Sequence, residues 1–100
     1  MRPRIQTSQQ ASLGFDIDPR EPVYVIGVVS RLVRLPIWTL RLLDREGLVT
    51  PKRRDGRARL YSLEDMRLLC RIRRLCVEQR VNYSGIRVIL QMEIRQGRSL

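Results

Sequence analysis

Between positions 52 and 59 five cations, Lys52, Arg53, Arg54, Arg57 and Arg59, surround a single acid, Asp55, and an Asp55-Gly56 pair suited to a tight turn. Arg41 and Arg45 stand four apart in a second segment, beside Trp38. Arginine at such positions does one kind of chemistry well: its planar fork of donors grips phosphate oxygens and the guanine edge bidentately. That chemistry is recognition, not bond-making. The chain has no histidine and only two cysteines, Cys70 and Cys76, so it lacks both the usual general base and the donors for a zinc or haem site. Gly-x-Ser-x-Gly, P-loop and Gly-x-Gly-x-x-Gly patterns are missing too. The expectation is a chain that is not an enzyme, with no catalytic residues, no metal and no cofactor.

Composition supports a polyanionic partner. The 100 residues carry 20 basic and 10 acidic side chains, a net charge of +10, with Lys52 the only lysine. The preference for arginine over lysine can reflect codon bias alone, but the net charge marks the surface for a polyanion. This length sustains one core and no more. At 43% apolar residues the chain is not of the disordered type. No uncharged apolar run approaches the ~18 residues of a membrane span, and the first ten residues lead into no secretory h-region. A cytoplasmic protein that makes no membrane contact is therefore expected. Cys70 and Cys76 lie six apart in a helical pattern, about 9 Å along its axis and on different faces, beyond disulfide reach. They read as buried packing in a reducing compartment.

The elements that must position these groups follow from periodicity. Residues 1–21 are polar and read as a flexible arm. Val23-Tyr24-Val25-Ile26 is β-prone and reads as a short extended lead-in. Val28, Val29, Leu32 and Val33 then recur at helical spacing over about two turns, and Pro36 opens a second helix that runs to about Arg45 and ends at Gly47. Two short helices joined by a turn form a helix-turn-helix. On the second, Thr39, Leu40 and Leu43 share the core side, whereas Trp38, Arg41, Leu42 and Arg45 share the other. Lys52 to Tyr61 reads as a basic hairpin. Ser62 with Asp65 makes a capping box for a long helix to about Val77, with Leu68, Leu69, Ile72, Leu75 and Cys76 as its apolar arc and Arg67, Arg71 and Arg74 as a solvated stripe. Asn82 caps a last helix whose buried face is Tyr83, Ile86, Ile89, Leu90 and Ile94, and residues 97–100 fray.

This order, helix-turn-helix, basic hairpin, helix, helix, resembles the DNA-binding domain of the MerR transcriptional regulators. The resemblance rests on Tyr24-Val25-Ile26-Gly27, Thr39-Leu40-Arg41, Gly47-Leu48, Pro51 and Arg59-Leu60-Tyr61-Ser62, and covers about residues 22–95. Within the family, Val23-Tyr24-Val25-Ile26 and Val81-Asn82-Tyr83-Ser84-Gly85-Ile86 are most similar to heat-shock repressors of the HspR type. The implied fold is a mainly α winged helix-turn-helix with four helices and a short two-stranded wing, occupying residues 22–96. The implied function is a repressor of chaperone genes that binds inverted-repeat operators in double-stranded DNA as a homodimer, with a DnaK-type chaperone as co-repressor. Three positions depart from the family pattern: Arg34 replaces a turn glycine, Leu42-Leu43 an aromatic pair, and Ala58 a wing tyrosine. With two backbone-touching groups lost, phosphate contact shifts toward arginine.

The DNA-contact set that follows is Trp38, Thr39, Arg41, Leu42, Arg45, Arg53, Arg57, Arg59, Tyr61 and Arg67. Several members have a second reading. Arg41 can pair with Asp44 or Glu46, Trp38 can anchor the core, Tyr61 can pack the base of the wing against the long helix, and the charged wing can be a solvated loop. Family members dimerise through a coiled coil after the fourth helix, and fewer than ten residues follow Met92 here, against the roughly 21 to 28 of a stable seam. The dimer helix is therefore expected to be absent or truncated. A monomeric, excisionase-like architectural DNA-binding protein is the alternative, and an RNA or protein-interaction module a third.

Overall fold

The computed structural model describes residues 17–53, 56 and 58–96. The first helix, α1 (Ile26–Val33), starts at the end of the β-prone run, two residues earlier than the periodicity from Val28 suggests. Tertiary packing overrides β-propensity here: a start at Ile26 places half-buried Ile26 on one stripe with buried Val29 and Val33. Only Tyr24 keeps an extended pairing, an antiparallel bridge to Tyr61 in which each backbone N–H donates to the other's carbonyl at 2.9 and 2.8 Å.

Arg34 ends α1 in the left-handed region, φ 61° and ψ 43°, and its N–H donates to the Ser30 carbonyl. Leu35 then turns into the core, and Ser30 Oγ donates to the Leu35 carbonyl at 2.6 Å. The conformation explains why a glycine belongs in this turn. A non-glycine residue in the left-handed region costs ~1–2 kcal/mol, and glycine returns ~0.5–1 of that to the unfolded chain. Arg34→Gly is expected to stabilise the fold by about 0.5–1 kcal/mol, raising the thermal midpoint by a few degrees; an unchanged or lower midpoint would mean that Arg34 holds the turn through its side chain.

Pro36 sits at the N-cap of α2 (Ile37–Arg45), one position before the helix it was expected to open, and its carbonyl accepts from Thr39 and Leu40. Gly47 follows the helix end with φ 74°, a backbone that L side chains rarely adopt. The wing is a two-stranded antiparallel hairpin, β1 (Lys52–Arg53) and β2 (Arg59–Leu60), with Lys52 opposite Leu60 and Arg53 opposite Arg59.

The capping box at Ser62 forms as expected: Asp65 N–H donates to Ser62 Oγ at 3.0 Å and the Ser62 N–H to Asp65 Oδ2 at 2.9 Å. It starts α3 (Leu63–Arg73), which passes into a π-helical turn over Arg74–Glu78 instead of continuing regularly to Val77. There Gln79 N–H reaches back to the Arg74 carbonyl and Val81 N–H to that of Leu75. A wide turn of this kind leaves no periodic trace in hydrophobicity. The last helix, α4 (Tyr83–Arg95), is capped by Asn82, whose side chain accepts from Gly85 N–H at 2.8 Å. A side chain at Gly85 would lie 2.8 Å from Val81 Cγ1, so any larger residue there would force Val81 to shift.

All four helices among the described residues contribute to one core of Val29, Val33, Leu35, Leu40, Leu43, Val49, Tyr61, Met66, Leu69, Ile72, Leu75, Ile86 and Leu90. Several expectations need correction. Met66 belongs to the apolar arc of α3, while Leu68 and Cys76 are only half-buried. Cys70 is exposed, because it faces the open groove that Leu32, Val33, Leu63 and Met66 form between α1 and α3. Arg71 is not solvated: it is half-buried and paired with Glu93 of α4. Ile94 is 74% exposed, at the edge of an open cleft that it lines with Leu48, Leu68 and Leu90. Of the expected arm, residues 1–16 lie outside the described residues, as do 97–100. The described part turns at Asp18–Glu21 and is tied to the start of α3 by Glu64 N–H on the Pro19 carbonyl.

Candidate nucleic-acid interface

The two faces of α2 separate as the wheel predicts. Leu40 and Leu43 are fully buried and Thr39 nearly so, whereas Trp38, Arg41 and Arg45 are exposed and Leu42 lies between. Trp38 is 67% exposed, which rules out a core anchor and leaves a large, flat aromatic group on the outer face beside the two arginines. The acids nearest Arg41 along the chain are engaged elsewhere. Asp44 is held by Arg59, and Glu46 by Arg87. Arg41 is exposed and makes no ion pair among the described residues.

Arg59 does more than bring charge to the wing. Its Nη1 donates to both carboxylate oxygens of Asp44, at 2.9 and 3.0 Å, and so ties β2 to the last turn of α2. A two-residue strand pair has little stability of its own, and this bond braces the wing against the helix. Between the two lies a hollow of about 220 Å³ lined by Arg41, Asp44, Pro51, Ala58, Arg59 and Tyr61 together with Ile26. Asp44 is the functional residue that the sequence reading missed. Its signal is one acid among arginines on a face otherwise prepared for an anion, an arrangement that makes sense when the acid positions one of those arginines.

Thr39 and Tyr61 do not belong on the outer surface. Thr39 is 6% exposed and Tyr61 2%, because α1 and α3 close over the inner side of α2 and the Tyr61 backbone is fixed to Tyr24. Of the two readings of Tyr61, packing at the base of the wing is the one observed. Arg53 and Lys52 are exposed on β1. Arg67 is exposed on α3, at the rim of the α1–α3 groove and away from the hollow between wing and helix. Arg57 lies outside the described residues.

Residues 24–93 match the family described as MerR HTH family regulatory protein. The chain belongs to the MerR family. It is 40% identical over 79 residues to the putative heat shock protein HspR of Streptomyces coelicolor, covering 79% of this chain and 52% of that protein. It is 35% identical over 75 residues to the HTH-type transcriptional regulators GlnR of Bacillus anthracis and Bacillus cereus, covering 75% of this chain and 57% of each of those proteins. The chain thus spans about half the length of the curated relatives it matches. The two GlnR proteins are named as HTH-type transcriptional regulators, in keeping with a family of HTH regulatory proteins. The mainly helical fold with its two-stranded wing is the MerR winged helix-turn-helix, and Arg34, in the turn between its first two helices, is in the left-handed conformation.

Burial of the MerR wing's Tyr61 has a consequence in alkali. Desolvation, reinforced by the nearby carboxylates of Asp44 and Asp65, pushes its hydroxyl up to about 12 against an ordinary 10.0. The folded state therefore resists ionisation that the unfolded chain accepts. The stability this contributes is complete below pH 10 and is lost as pH rises from about 10 through about 12, to an extent of about 2–3 kcal/mol. Tyr61→Phe should remove that component, and denaturant midpoints of both proteins against pH would show it. Parallel alkaline losses in the two would place the effect elsewhere.

Proposed function

We propose that this chain is the DNA-reading part of a transcriptional regulator, similar to HspR, that represses chaperone and heat-shock genes by binding inverted-repeat operators. The observation that carries the proposal is the outer face of α2, where Trp38, Arg41 and Arg45 stand free of core duties beside a cationic wing braced to the same helix by Arg59 and Asp44. In this reading α2 enters the major groove, Arg41 reads a base edge, Arg45 and Leu42 support it, and Trp38 stacks on a sugar or a thymine methyl. Arg53 and Arg59 take phosphates, Arg57 reaches the minor groove, and Arg67 serves an outlying phosphate. Thr39 and Tyr61 act from inside, by fixing the helix and the base of the wing. A cytoplasmic, nucleoid-associated protein follows, and no helix among the described residues is long and apolar enough to cross a membrane. A homodimer on DNA supplies two half-sites in register, and a DnaK-type chaperone as co-repressor follows from the likeness to HspR.

The test is selection from a random duplex pool by the purified chain at about 0.15 M salt. An enriched inverted repeat that also occurs upstream of chaperone genes supports the proposal. Enriched direct repeats favour the excisionase-like alternative, and preference for RNA over any duplex overturns both.

A further inference from the structure

The C-terminal end of α2 is held from an unexpected direction. Around this end the Leu42 carbonyl accepts from Glu46, that of Leu43 from Leu48 and Val49, and that of Asp44 from Gly47, all within the local chain. The Glu46 carbonyl instead accepts from Arg87 Nη2 at 2.6 Å, a donor 41 residues later on α4. The same guanidinium nitrogen lies 3.5 Å from Glu46 Oε1, a longer and weaker contact. The helix that carries Arg87 is packed into the core. Arg87 lies between fully buried Ile86 and buried Leu90, and α4 is fixed again two turns on by the Glu93–Arg71 pair. Beside it, Leu48, Leu68 and Leu90 line an apolar cleft of about 210 Å³ that Arg87 also borders.

We propose that Arg87 is a positioning residue for DNA recognition: from α4 it fixes the C-terminal end of α2 through the Glu46 carbonyl, so the seating of α4 sets how α2 presents Arg41 and Arg45. The inference rests on the proposed DNA reading by α2 and adds a residue remote from that face. A cation at a helix C-terminus is favoured by the exposed carbonyls, and a charged donor makes the bond a strong one. Because Arg87 points to backbone, not outward, its loss should disturb geometry without removing a phosphate contact.

The experiment uses the full chain, the duplex enriched from a random pool by the unaltered protein, and a scrambled duplex of equal length. Arg87→Met keeps the aliphatic stem and removes the donors, Arg87→Lys restores a single donor, and Glu46→Gln loosens only the side-chain contact. Arg87→Met should weaken binding to the selected duplex about tenfold. Its affinity for the scrambled duplex should stay within about twofold, and the salt dependence should keep its slope. Arg87→Lys should recover most of the loss, Glu46→Gln should bind as the unaltered protein does, and the amide nitrogen shifts of residues 43–48 should move in Arg87→Met alone. Equal losses on both duplexes with a shallower salt slope would make Arg87 a phosphate contact and overturn the proposal. Unchanged affinity with unchanged shifts would also overturn it. Should Arg87→Met not fold, Arg87→Gln, whose amide is too short to reach Glu46, replaces it with the same expected and contrary results. Failure of the unaltered protein to enrich any duplex would instead strike at the DNA reading, while the shift comparison still decides whether Arg87 holds α2.

Discussion

Arg41→Ala is expected to weaken binding to a selected operator by about 5- to 150-fold, the 1–3 kcal/mol of one bidentate base contact, while changing affinity for random duplex far less. The expectation follows from where the side chain stands. It leaves the helix opposite buried Leu40 and Leu43, and both acids within reach along the helix are committed, Asp44 to Arg59 and Glu46 to Arg87. No internal partner is lost on truncation, so the change should be nearly silent in stability and concentrated in specificity. Arg53→Ala, on the wing, is the matching control: it should weaken all sequences alike and flatten the salt slope by about one. If Arg41→Ala weakens operator and random duplex equally, Arg41 is a phosphate contact and the base reader must be sought elsewhere on α2.

The largest effect on stability is expected one residue away. Leu40 is fully buried at the centre of the helix-turn-helix, and Leu40→Ala should cost about 2–5 kcal/mol. Domains of this size have little reserve, so a loss of that order should leave much of the chain unfolded at 37 °C. Trp38→Ala removes a far larger side chain, yet it should shift stability by no more than ~0.5 kcal/mol, because two thirds of Trp38 is already in water. Urea midpoints followed by far-ultraviolet circular dichroism compare the three proteins directly. The reverse ranking would mean that α2 is rolled about its axis, with the aromatic inside.

The contrast between Leu40 and Trp38 also shows why this helix was legible in the sequence. Leucines three apart on a period of 3.6 leave a nine-residue helix with one face to bury, and the arginines have only the other. The capping box at Ser62 and the cap at Asn82 were legible for a similar reason, since each is satisfied within three residues. Features that depend on distant partners were not. Arg71 sits on what looks like a solvated stripe until Glu93 arrives from α4, 22 residues later, and the Asp44–Arg59 brace exists only once the wing folds back. Tyr61 was ambiguous in principle, because a phenol suits both a core and a phosphate, and the packing of three helices around it decides. Cys70 misled because cysteine is so often buried that its place at the mouth of the α1–α3 groove went against type. Within the candidate site, the exposed side of α2 and the cationic wing were thus readable, whereas the contacts that brace the wing and hold the helix end were tertiary.

The central claim, that α2 enters DNA with its outer face, has a direct reporter in Trp38, the single tryptophan of the chain. Its emission should change markedly on titration with the selected duplex, as an indole 67% exposed in the free protein becomes covered, and should change little with a scrambled duplex at the same salt. Saturation of the selected duplex, confirmed by anisotropy of labelled DNA, with the emission of Trp38 unaltered in position and intensity would contradict the account.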